Sequence, residues 1–95
     1  MNAISVAPGA SPTLVAAGGN RNFLHIYNNS ASTVYLCYDC DTATATSTLA
    51  TTNGFPLVAG AAIMLNNDNL RGFGNPVYAV HADGSNPKEL RIQGA

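Results

Sequence analysis

Charge is what this chain most lacks. Asp, Glu, Lys and Arg make up 9% of its 95 residues, against about 25% in ordinary soluble proteins. Ala, Thr, Asn, Ser and Gly fill the gap. Disordered chains combine high charge with low hydrophobicity; this one is 46% hydrophobic, so a folded domain is expected. The four Lys and Arg are dispersed and the net charge is −1, whereas a nucleic-acid footprint needs a basic patch. No apolar run reaches the roughly 18 residues of a membrane-spanning helix. The N-terminal stretch has no basic segment and is broken by Pro8, Gly9 and Pro12, unlike a secretory signal. The expectation is synthesis in a reducing cytosol, with Cys37 and Cys40 as free thiols and not as a staple. Tryptophan is absent, which weighs against a glycan-binding module built on exposed aromatics.

What is present is short alternating segments. In Arg21–Asp39, Leu24 and Ile26 point one way while Phe23, His25 and Tyr27 point the other. Val34, Leu36 and Tyr38 then oppose Thr33, Tyr35 and Cys37. Period two with β-branched and aromatic residues is the strand signal. Asn28 to Ser32 supplies turn chemistry between the two runs. The predicted element is a β-hairpin with Leu24 and Ile26 across from Val34 and Leu36, a register that a one-residue slip would turn into water. Its second face, carrying Phe23, Tyr27 and Tyr35, is the expected contact surface for another sheet or another chain.

Elsewhere the pieces are similar. Residues 1–20 read as an N-terminal arm or edge strand, since Pro8 and Pro12 exclude a central position, and residues 21–95 as the domain proper. Pairing within the domain's own sheet is preferred for the arm over pairing with a neighbouring subunit. Cys40 to Gly54 reads as an irregular or edge strand ending in an Asn53-Gly54 turn. Phe55 to Val58, Ala61 to Leu65, Val77 to His81 and Glu89 to Gln93 read as strands, with turns at Asn66 to Asn69 and Asp83 to Pro87. No window has a helical period. The fold class is all-β: a small antiparallel sandwich or barrel of six to eight short strands with an extended N-terminal segment.

Catalytic signals are absent. Cys37-x-x-Cys40 becomes a zinc site only if His25 and His81 complete a Cys₂His₂ set. One hairpin register brings His25 opposite Cys37, but His81 must come from a distant strand. Reduced cysteines at a strand end and half-buried, hydrogen-bonded histidines are the preferred reading, with no metal and no cofactor. Asp39, Asp41, Asp68, Asp83 and Glu89 lie in or beside turns and form no defined acid/base pair. Asn67-Asp68-Asn69 lacks the glycine and distal glutamate of a calcium loop. No nucleophile elbow occurs among the many Ser and Thr, and no enzymatic activity is expected.

The order of pieces nevertheless resembles one family. Arg21, Leu24, Ile26, Asn28 and Ser30 lead to Val34-Tyr35-Leu36. Thr51, Asn53, Gly54, Pro56, Leu57 and Gly60 follow, then Val77 to Val80 and Leu90 to Ile92. This pattern, over about three quarters of the chain, resembles the small β-sandwich virion proteins of tailed bacteriophages that decorate or cement capsids. The resemblance implies a structural protein made in the host cytoplasm and located on the capsid surface. It implies binding across major capsid protein subunits, stabilisation of the shell by mass action, and a homo-oligomer such as a trimer at local three-fold positions. A head–tail or tail protein of the same fold is the alternative. So is a small glycan-binding module, with Tyr27, Tyr35, Tyr38 and Tyr78 as candidates.

Overall fold

The computed structural model describes residues 2–6, 12–18, 23–38, 49–66, 76–82 and 88–94. The described residues form eight strands: β1 (Asn2–Val6), β2 (Thr13–Ala16), β3 (Phe23–Asn28), β4 (Val34–Cys37), β5 (Phe55–Leu57), β6 (Ala62–Asn66), β7 (Val77–Val80) and β8 (Lys88–Gly94). They form two four-stranded sheets: sheet I in the order β1-β8-β3-β6 and sheet II in the order β2-β7-β4-β5. The protein is all-β, and the described residues contain no helix.

The pairing has a mirror order. β1 pairs with β8, β2 with β7, β3 with β6 and β4 with β5, all antiparallel. Every connection except β4 to β5 therefore crosses from one sheet to the other. Such a chain is one long antiparallel ribbon rolled on itself, the eight-stranded jelly roll. Residues 1–20 contribute the edge strand β1 to sheet I and the edge strand β2 to sheet II. β2 carries a register shift between Leu14 and Ala16, the local kink of a bulge.

Alternation along each strand selects the core. Leu24 and Ile26 of β3, Leu65 of β6, and Leu90 and Ile92 of β8 point inward from sheet I. Val15 of β2, Val34 and Leu36 of β4, Leu57 of β5, and Val77 and Ala79 of β7 meet them from sheet II. All are nearly inaccessible to water, and burying such side chains stabilises each by roughly 1.5–3 kcal/mol.

The expected β3–β4 hairpin is corrected. β3 lies between β8 and β6, and β4 lies between β7 and β5. Leu24 and Ile26 do share a core with Val34 and Leu36, but across the sandwich and not along a ladder. The Asn28–Ser32 segment is an arch between sheets, and its first residue explains why. Asn28 continues the inward phase of Leu24 and Ile26 and is fully buried. A buried amide must find partners. Its Nδ2 donates to the carbonyls of Ser32 (2.8 Å) and Leu57 (2.7 Å). Its Oδ1 accepts from the Ser30 hydroxyl (2.7 Å). Its backbone N–H donates to Ala61 O, and its carbonyl accepts from Gly60 N–H. The arch, the end of β5 and the β5–β6 turn are thus tied through one side chain.

Sheet II has a second layer on its outer side. Leu49 packs on Tyr78 and Val80, flanked by Tyr35 and Cys37. A turn follows, in which Asn53 N–H and Gly54 N–H donate to Ala50 O and the Asn53 side chain accepts from Ala50 N–H. This is the expected Asn53-Gly54 turn.

Candidate interaction surface

The outward phase of sheet I is set by the strands just described. Phe23, His25 and Tyr27 alternate with the buried Leu24, Ile26 and Asn28. In register, His25 lies beside Met64 of β6 and Gln93 of β8. Tyr27 lies beside Ala62 and Arg91. Phe23, His25 and Tyr27 are half-buried; Ala62, Met64, Arg91 and Gln93 are exposed. No buried cluster forms over these residues among the described ones, whereas Leu49 builds one over sheet II. Among the described residues the result is an open sheet surface with Phe23, His25 and Tyr27 along its inner strand β3.

Among the described residues its outward charges lie on β8, where Arg91 is beside Tyr27. Glu89 and Arg91 pair at 3.2 Å along β8, and the Asn29 amide donates to the same Glu89 oxygen. The Asn29 N–H also donates to Glu89 O. The Asn29 amide first, and then Arg91 through its hydrogen bond and its charge, hold the Glu89 carboxyl below the usual carboxylate range, against an opposing desolvation. The pair is exposed and neutral as a unit, so it adds no net charge to that surface.

The three expected contact residues do not share a surface. Phe23 and Tyr27 stand on the outer side of sheet I, while Tyr35 stands on the outer side of sheet II with its neighbours Leu49, Tyr78 and Val80. The reason is the crossing at Asn28: alternation fixes which side of a strand is outward but not which sheet holds the strand. Met64, Ala62 and Gln93 complete the sheet I surface. Single-sequence patterning missed them because β6 and β8 flank β3 only through non-local pairing.

The described metal candidates, His25, Cys37 and His81, are dispersed in the same way. His25 is on the outer side of sheet I, Cys37 packs on the outer side of sheet II, and Cys40 lies outside the described residues. His81 follows the inward phase of Val77 and Ala79. It is fully buried, and among the described residues neither ring nitrogen has a hydrogen-bond partner. The expected half-buried, hydrogen-bonded ring is corrected for His81: the inward phase carries it into the apolar layer. The expectation of free thiols is corrected too, because Cys37 is disulfide-bonded. The chain has only one other cysteine, Cys40. A thiol pair in one short stretch of chain oxidises wherever it meets an oxidising environment, which a reducing site of synthesis does not exclude. Among the described residues no three His, Cys, Asp or Glu converge as metal ligands. Asp39, Asp41, Asp68 and Asp83 lie outside the described residues, as do the 67–69 and 83–87 turns and the Thr-Ala segment 41–48.

A groove of about 540 Å³ lies beside the end of β4, walled by Leu36, Tyr38, Leu49, Asn53, Phe55 and Pro56. Tyr38 and Phe55 meet edge to face there, with ring centroids 5.7 Å apart and planes at 64°. Of the four tyrosines considered for glycans, only Tyr38 lines it.

Comparison with protein-family models, with curated proteins and with solved structures finds no match for the chain.

Proposed function

We propose that this chain is a structural virion protein of a tailed bacteriophage that decorates the capsid, binding across major capsid protein subunits through the outer side of sheet I. The observation that carries the reading is the open Phe23–His25–Tyr27–Met64 surface, whose described charges are the paired Glu89 and Arg91, in a chain with 9% charged residues. A surface of that kind is usually covered by a neighbour. The order of strand and turn residues resembles decoration proteins, and the jelly roll is a fold of capsid domains, although lectins and cupins use it as well.

Size argues for many contacts. Four strands spaced about 4.8 Å apart, each running about 17–20 Å, give a flat area of roughly 350 Å². That is about half of the roughly 800 Å² per partner of a standard pairwise interface. One such contact is weak. Several, made at once by an oligomer on a repeating lattice, gain from effective concentration. A trimer on local three-fold positions has the symmetry to do this.

The test is a count. Purified protein is added to capsids that lack it, and bound copies are measured by mass or image reconstruction. Hundreds of copies with a raised capsid melting temperature are expected. A dozen or fewer at one vertex moves the protein to the neck or tail, and no binding removes the virion reading.

A further inference from the structure

We infer that the Asn53–Gly54 peptide is a latent site of spontaneous deamidation, held off for as long as the 50–54 turn packs on the outer side of sheet II. Of the asparagines in the chain, only Asn53 precedes a glycine. Deamidation begins when the next residue's backbone nitrogen attacks the side-chain carbon Cγ. A following glycine has no β-carbon and leaves that approach unhindered. The steps balance without an oxidant or a cofactor. Gly54 N gives its proton to hydroxide and forms a bond to Asn53 Cγ. The Cγ–Nδ2 bond breaks, ammonia leaves with a proton from water, and a cyclic imide remains. Water then opens the ring at Cγ, giving aspartate, or at the main-chain carbonyl, giving isoaspartate. Asn53 is exposed, so both hydroxide and water reach it.

The fold withholds the first step. Gly54 N–H, whose proton must leave, donates to Ala50 O at 3.0 Å, and Asn53 N–H donates to the same oxygen at 3.2 Å. Asn53 Oδ1 accepts from Ala50 N–H at 2.8 Å. The side chain that must swing its Cγ towards Gly54 N is therefore tied back to the start of the turn. The turn is also pressed on the sheet. A β-carbon at Gly54 would lie 2.7 Å from Tyr35 Cβ and 3.1 Å from Leu49 Cδ1, and Leu49 is anchored on Tyr78 and Val80. Ring closure has to wait for local opening of the turn, so its rate follows the population of the open form. The two products leave different structures behind. Aspartate keeps an oxygen in place for Ala50 N–H. Isoaspartate carries the main chain through an extra methylene, which displaces Gly54 from Ala50 O and stops the turn from closing over sheet II. The site is a one-way modification of the layer over sheet II, and it does not depend on the assignment of capsid contact to sheet I.

The experiment incubates the whole chain in mildly alkaline buffer, folded and, in parallel, unfolded in urea. Peptide mass mapping follows modification at residue 53, and isoaspartyl methyltransferase measures the isoaspartate share. The folded chain is expected to react at Asn53 at least about tenfold more slowly than the unfolded one. Leu49→Ala removes the side chain that pins the turn and should raise the folded rate severalfold, with hydrogen exchange along β3 and β8 unchanged. Leu49→Val leaves a smaller gap and keeps the test decisive if the alanine variant unfolds. Asn53→Asp should melt close to wild type, whereas the purified isoaspartate form should exchange its amide hydrogens faster at 49–54. Equal rates in the folded and unfolded chains would overturn the inference. So would a rate that stays at the wild-type value in a folded Leu49 variant, or modification confined to other asparagines of the unfolded chain.

Discussion

The Asn28 side chain donates a hydrogen bond of 2.7 Å to the carbonyl of Leu57, which is distant in sequence. Its other amide hydrogen goes to Ser32 O, and its oxygen accepts from Ser30. Replacement by leucine keeps the branched shape but removes the side-chain donor to Leu57 O and the acceptor for the Ser30 hydroxyl, while Ser32 O keeps its bond from that hydroxyl. Each buried unpaired group costs about 1–3 kcal/mol, so Asn28→Leu should lose about 2–4 kcal/mol. In a domain of this size that lowers the melting temperature by about 10–25 °C. Urea unfolding of the variant checks it; an unchanged midpoint would mean that the arch is held by other contacts.

The same residue shows how far the sequence can be read. Alternation in Phe23–Tyr27, Val34–Cys37 and Glu89–Gln93 identifies strands and their inward residues, because it reports burial directly; in Val77–Val80 all four residues are buried, since Leu49 covers the outer side of that strand. Alternation does not report the partner strand. Asn-Asn-Ser-Ala-Ser suits a hairpin turn and an inter-sheet arch equally well, since both need only local backbone hydrogen bonds. The available clue is phase: Asn28 falls on the same side as Leu24 and Ile26, and a polar residue at an inward position of a strand end marks a corner whose partners are non-local. Phe23 and Tyr27 were legible as outward-facing for the same reason that Leu24 was legible as core. Met64 and Gln93 beside them, and Leu49 over Tyr78, were not, because each depends on pairing between distant parts of the chain.

Gly54 and Gly60 should respond to alanine for different reasons. A β-carbon at Gly54 would lie 2.7 Å from the Tyr35 Cβ, closer than atoms pack. Gly54→Ala must push the 50–54 turn off sheet II, at about 1–3 kcal/mol. Around Gly60 there is open space, but its φ is +77°, a conformation that costs a residue with a side chain about 1–2 kcal/mol. Asparagine tolerates that region, so Gly60→Asn should recover part of the loss while Gly54→Asn should not. Thermal unfolding of the four variants separates steric from conformational cost.

Assembly and folding should separate by sheet. Tyr27 and Met64 are on the open side of sheet I, and Met64 is 46% exposed. Met64→Asp should therefore abolish capsid binding with the monomer's melting temperature nearly unchanged, as expected for a surface substitution; Tyr27→Asp should abolish it too, with a modest loss of stability because the ring is half-buried on an inner strand. Tyr35 packs against the Leu49, Tyr78 and Val80 cluster. Tyr35→Asp should put a carboxylate beside that cluster and destabilise the monomer by several kcal/mol. Capsid pull-down together with circular dichroism distinguishes the two outcomes. Retained binding by both sheet I variants would move the contact surface elsewhere.

Reduction should loosen sheet II selectively. Cys37 is disulfide-bonded and packs against the Leu49 cluster, and Cys40, the other cysteine of the chain, is three positions on. A loop so short constrains the unfolded chain modestly, by about 2 kcal/mol in the chain-entropy model. Dithiothreitol should lower the melting temperature by about 8–15 °C. Faster hydrogen exchange should appear at 35–38 and 49–54 and not along β3 or β8. A uniform increase across both sheets would show that the bond supports the whole domain and not the outer layer of sheet II.

Acid should act at the outward charges of β8 on the sheet I surface. Asn29 and Arg91 lower the Glu89 carboxyl below its ordinary value of 4.5. A carboxyl that binds its proton less readily when folded contributes stability that is complete above the ordinary value. That stability fades as pH falls through the lowered folded value. The difference in unfolding free energy between wild type and Glu89→Gln should therefore be constant near neutrality and shrink in the acid range. Arg91→Ala should reduce the effect without removing it, because the Asn29 amide, its largest cause, remains. Screening should make the Arg91 part, but not the Asn29 part, sensitive to salt. Equilibrium unfolding of the three proteins across the acid range, at low and high salt, measures each part. A wild-type minus Glu89→Gln difference that stayed flat to the lowest pH would show that the Asn29 and Arg91 contacts do not persist in solution.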